Sequence, residues 1–166
     1  MTGSQKILLS GGLALAILGM AYGLWYALVD EHPTLERMGV SLASAFAEVA
    51  KGEMGQARES LKIYGETRFE YVREVHIHGH LVALSTLLLI LGLYFNQLAF
   101  SERIRLYLAS LLLFGTAVLP LGSLLEIFLT GPVPKAVALL GAVSVIGGLG
   151  AVAVGFLRSA ERSRRD

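Results

Sequence analysis

The chain has 166 residues, of which 54% are apolar and only 16% charged, with a mean hydropathy of +0.63 and a net charge of +1. An ordinary soluble domain carries about 25% charged residues, so this composition excludes one and points to lipid. There is no cysteine, which excludes disulfides, thiolate metal sites and cysteine-held iron–sulfur clusters.

The first element is an apolar run from Ile7 to Val29. A helix needs about 20 residues to cross a bilayer's hydrocarbon core. The run exceeds the apolar stretch of a signal peptide, and no small-x-small cleavage site precedes Asp30. It reads as an uncleaved first span. Gly12, Ala16, Gly19 and Gly23 fall on one face of it, a small-residue seam for close helix approach. Trp25 and Tyr26, like Tyr94 further on, suit an interfacial aromatic belt.

Residues 30–74 follow, with nine carboxylates against six basic side chains. Pro33 and Thr34 read as a helix start and Gly52 as a stop. Leu35, Met38, Leu42, Phe46 and Val49 form one apolar stripe; Met54, Ala57, Leu61, Tyr64, Tyr71 and Val75 form another. Two amphipathic helices around "KGE" predict an antiparallel hairpin closed by those stripes, or docked by them on the membrane or a partner. Gly65 predicts a weak point in the second helix, which otherwise continues unbroken into the next span.

Three further spans are predicted at about 76–100, 104–130 and 133–157. Uninterrupted apolar runs argue helices, because alternating strands are the mark of a barrel. Pro120 predicts a kink in the third span, with Gly122 and Ser123 leaving room for a pocket below Glu126. Gly141, Ser144, Gly148, Ala151 and Gly155 make a second small-residue seam in the fourth. The expected fold is an all-α integral membrane protein: a single membrane domain over 1–166, built as a four-transmembrane-helix bundle. The hairpin of 30–74 is expected as an extracytoplasmic insert between spans 1 and 2.

Charge sets the expected topology. Lys6, Arg103, Arg105, Arg158, Arg162, Arg164 and Arg165 lie at the ends and in the second connection, while the third connection holds only Lys135. The positive-inside bias then places both termini in the cytoplasm of a bacterial inner membrane. The basic tail reads as an anchor on the lipid surface, not a nucleic-acid patch.

That topology brings every histidine to one level. His76, His78 and His80 stand at the start of the second span, His32 follows the first, and Glu126 lies near the end of the third. Ionisable groups within a bilayer are costly and mark function. His76 and His80 are four residues apart, so they share a helix face; two imidazoles in that spacing chelate zinc, copper or iron. Glu126 completes a two-histidine, one-carboxylate set, with His78 and His32 as further ligands. His78 points away from that pair, toward Glu74 one turn back or toward lipid headgroups.

The segment "HIHGHL" at 76–81 resembles the outer start of the second span in respiratory haem–copper oxidases, where a histidine binds haem. The resemblance covers only those residues and implies haem b as the alternative to a transition metal. A protonatable or quinone-type pocket and plain interface packing are the other readings of the cluster. No phosphate-binding glycine loop and no serine triad is present; "GGLG" at 147–150 lies inside a span. The expected function is a small metal-binding or redox membrane protein. Its rival is a non-catalytic accessory subunit of a larger membrane complex or homo-oligomer, docked through its small-residue seams and apolar stripe.

Overall fold

The computed structural model describes residues 1–129 and 131–163. Thr130, Arg164 and Arg165, which the sequence places at the end of a span and in the basic tail, lie outside them. The described residues are helical and contain no strand. Helix α1 is Gly3–Val29, α2 Glu31–Ala50, α3 Met54–Tyr94, α4 Glu102–Phe128 and α5 Pro132–Ser163, with a 3-10 turn at Phe95–Gln97. Helices α1, α3, α4 and α5 are each long and apolar enough to cross a membrane. In lipid a backbone has no water to bond, so each crossing must close its own amides as a helix. Four such helices suit a multi-pass membrane protein.

Helix α3 runs for 41 residues without a break. At 1.5 Å per residue it is roughly 60 Å long, about twice the hydrocarbon core. Gly65 does not interrupt it, because one glycine costs a long helix only about 1 kcal/mol. The start of α2 differs from the sequence expectation. The helix begins at Glu31 after Asp30, which places Pro33 and Thr34 inside its first turn. Proline is tolerated there, since a first-turn amide has no helical partner. Gly52 closes the turn after α2 with φ +80°, a conformation glycine adopts without a Cβ clash.

The chain divides into two compact units, residues 1–20 with 77–166, and residues 21–76. In the first, Leu8, Leu88, Phe95, Leu98, Ala109, Leu112 and Val152 form a buried core. The small-residue seams act within this unit. A Cβ at Gly12 would sit 3.2 Å from the Leu88 Cβ, and one at Gly19 would sit 2.8 Å from that of Leu81. Both glycines therefore admit α3 against α1. On the other side, Gly141 faces Leu119, Gly148 faces Leu112 and Gly115 faces the Gly141 carbonyl, so α4 and α5 touch nearly backbone to backbone. Gly122, expected to leave room for a pocket, is filled by Ala138 of α5. Helix α4 continues through the buried Pro120.

In the second unit, α2 and α3 are joined by the short turn 51–53. Ser60 Oγ donates to Glu48 Oε2 at 2.9 Å, and Arg37 meets Glu70 at 3.9 Å. The buried contacts are small: Ser41, Ala45, Ala57 and Thr67. The larger members of the two stripes point outward instead; Phe46 is 70% exposed, and Leu35, Val49, Met54 and Leu61 are also exposed. Close helix approach selected small residues, which on α2 lie one position off the apolar stripe and on α3 include Ala57 of the stripe itself.

Candidate functional site

The five proposed ligands are distributed as follows. His32 stands exposed in the first turn of α2. His76 is the last residue of the second unit, while His78, His80 and Glu126 belong to the first. On the unbroken α3, His76 and His80 keep their four-residue spacing and both are exposed. Glu126 is half-buried near the end of α4. Among the described residues, no three His, Asp or Glu side chains gather into a group able to hold a metal ion.

His78 makes a hydrogen bond that orients its ring. Its Nδ1 lies 2.9 Å from the carbonyl oxygen of Gly19. A carbonyl only accepts, so Nδ1 carries the proton and donates it. In the neutral ring Nε2 then holds the free lone pair. This arrangement is the one by which proteins fix the tautomer and angle of a ligating imidazole. It exists because Gly19 has no side chain. The same missing Cβ that lets Leu81 approach brings the Gly19 carbonyl within reach of a ring on α3. His78 was expected to turn toward Glu74 or the headgroups. Glu74 is instead taken by Tyr22, whose hydroxyl donates to its Oε2.

That bond belongs to an aromatic and acidic contact in the second unit. Tyr22 and Tyr26 are one turn apart on α1; Tyr71 and Glu74 are one turn apart on α3. The Tyr26 and Tyr71 ring centroids lie 6.5 Å apart, and those of Tyr22 and Trp25 5.9 Å apart. Tyr26 is only 6% exposed, so it is a packing residue and not part of an interfacial belt. Trp25 and Tyr94 are exposed as a belt requires. The spacing of Tyr22 with Tyr26 and of Tyr71 with Glu74 is visible in the sequence. Nothing there pairs the two helices at this register.

A second polar cluster carries no signal in the sequence. Glu102, the first residue of α4, accepts from the Ser4 amide at 3.0 Å and from the Ser4 hydroxyl at 3.3 Å. It also pairs with Arg105 at 3.0 Å, and Arg105 donates to the Asn96 carbonyl at 2.8 Å. Gln5 donates to the Gly92 carbonyl at 3.1 Å. The carboxylate sits at the N-terminus of α1, where unpaired amides and the helix dipole favour an anion. This cluster fastens helix ends and holds no reacting group. The second unit also has an open groove of about 440 Å³ between α2 and α3, lined by Pro33, Arg37, Val40, Ser41, Ser44 and Ile63 among others.

Compared with protein-family models, curated proteins and solved structures, the chain matches none of them.

Proposed function

We propose that this protein is a small redox or metal-handling membrane protein whose anchoring ligand is His78. One observation supports the reading: the 2.9 Å contact from Nδ1 to the Gly19 carbonyl, which orients the ring and leaves Nε2 as a Lewis base. An oriented imidazole of this kind suits a haem, which takes one or two axial ligands, and serves equally as one ligand of a transition metal. His80 and Glu126 of the same unit are the next candidates for a transition metal, and His76 and His32 the outer ones. With both termini cytoplasmic in a bacterial inner membrane, the histidines stand at the outer leaflet. The pair of helices formed by α2 and the first half of α3 is then an extracytoplasmic hairpin. A bound haem or metal would supply electron transfer or ligand binding. The chain's own contribution is to set the imidazole angle and, in the neutral ring, to leave the lone pair on Nε2.

The test is an absorption spectrum and metal analysis of protein purified from detergent. A Soret band, or stoichiometric metal, that is lost in His78→Ala supports the reading. A pigment or metal unaffected by His78→Ala, or none at all after expression with haem and metal supplied, overturns it.

A second reading rests on a different observation. Leu35, Phe46, Val49 and Leu61 leave apolar surface uncovered on the second unit. A non-catalytic accessory subunit would dock that surface onto a larger membrane complex. Loss of assembly of such a complex on Phe46→Asp, with the spectrum of the purified chain blank, selects it.

A further inference from the structure

In the contact of Tyr22, Tyr26, Tyr71 and Glu74, one buried donor has no acceptor. Glu74 accepts from Tyr22 through Oε2. One helical turn away on the same face of α1, Tyr26 is 6% exposed, and its hydroxyl has no hydrogen-bond partner among the described residues. A buried hydroxyl left unpaired forfeits the bond that water would have given it. Its neighbour across the helix pair is Tyr71, one turn from Glu74 on α3. The hydroxyl is sealed from solvent. Glu74, one turn from Tyr71 on α3, is the carboxylate of this contact, and it is already engaged with Tyr22.

We propose that Glu74 is a shared acceptor for both phenols and that Tyr22 and Tyr26 form a two-position latch between α1 and α3. In the observed position Tyr22 is bonded and Tyr26 waits. In the other, Glu74 takes the Tyr26 hydroxyl and releases Tyr22. The two donors are one turn apart, so α1 can slide by about 5.4 Å along α3 and exchange one phenol for the next. The carboxylate has a donor at either end of the movement, while the bonds of Ser4 to Glu102 and of Gly19 to His78 belong to the observed end. Switching elements of this kind step by a helical turn because packed surfaces are bistable. The same movement carries the Gly19 carbonyl away from His78, so the latch and the orientation of that ring change together.

A double-mutant cycle tests it by thermal unfolding of the full chain in detergent. Phenylalanine keeps each ring and removes only its oxygen. For a shared acceptor, Tyr22→Phe costs little because Tyr26 takes over. Tyr22→Phe/Tyr26→Phe then lowers the midpoint by more than the sum of the single changes and comes close to Glu74→Ala. The infrared carboxylate band assigned by difference against Glu74→Gln stays hydrogen-bonded in Tyr22→Phe and shifts only in the double variant. If Tyr22→Phe alone gives the whole loss, with Tyr26→Phe neutral or stabilising and the carboxylate band already shifted, Glu74 serves one phenol and the latch is wrong. The infrared band decides the question should unfolding prove irreversible.

Discussion

Nδ1 of His78 lies 2.9 Å from the carbonyl oxygen of Gly19, fifty-nine residues away in sequence. The bond depends on an absent side chain, because a Cβ at Gly19 would fall 2.8 Å from the Leu81 Cβ and force α1 away from α3. Gly19→Ala is therefore expected to destabilise the protein by roughly 1–3 kcal/mol, the range for overpacking a close contact. It should also release His78. Side-chain nitrogen NMR checks both effects: the His78 ring shows a single Nδ1–H tautomer in the native chain and a tautomer mixture in Gly19→Ala. A lowered midpoint with an unchanged His78 spectrum would separate the packing from the hydrogen bond.

The N-terminus of α1 is held from outside its own helix. Glu102 accepts from the Ser4 amide and hydroxyl and pairs with Arg105. Replacing Glu102 with Ala removes an acceptor from first-turn amides that have no helical partner. Faster hydrogen exchange is expected at residues 3–6, with residues 104–110 little changed. Glu102→Gln keeps an acceptor oxygen but loses the charge facing Arg105, so its exchange should be intermediate. Equal exchange in all three proteins would mean that Ser4 is capped in another way.

Glycines of α5 divide by what they face. A Cβ at Gly141 would lie 2.7 Å from the Leu119 Cα, whereas one at Gly147 meets nothing within 4 Å. Gly141→Ala must push α4 and α5 apart and is expected to cost roughly 1–3 kcal/mol. Gly147→Ala touches nothing and gains helix propensity, up to about 1 kcal/mol. Reversible unfolding in mixed micelles should therefore rank Gly147→Ala at or above the native chain and Gly141→Ala well below it.

The four long helices are legible because lipid leaves the backbone one choice, and runs such as Ile104 to Phe128 declare it. The small-residue seams are legible as seams, but not their partners. Gly141 reads the same whether Leu119 of this chain or a second copy faces it, since van der Waals packing carries no sequence label. The continuity of α3 from residue 54 into the span is legible too, because no breaker interrupts it. The register between helices is not. A shift of one position on α1 would have offered His78 a side chain instead of the Gly19 carbonyl. For the same reason the mutual approach of the histidines, a matter of helix rotation, is not legible.

The second unit gives the sharpest contrast between pattern and packing. The apolar stripe Leu35, Met38, Leu42, Phe46 and Val49 marks one helix face, yet the residues buried on α2 are Ser41 and Ala45, each one step behind the stripe. Ala45 and Ala57 are each 3% exposed, and Phe46 is 70% exposed. Small side chains allow the two helices to approach closely, and a bulky side chain at position 45 or 57 would wedge them apart. Ala45→Leu and Ala57→Leu are each expected to destabilise by about 1–3 kcal/mol, although both raise hydrophobicity. Phe46→Ser removes a large apolar group yet should change stability by less than about 0.5 kcal/mol, as exposed sites do. Urea unfolding of the detergent-purified chain, followed by circular dichroism, ranks the three. If Phe46→Ser proved the most damaging, Phe46 would be buried in the folded protein and the stripe, not the small-residue face, would join α2 to α3.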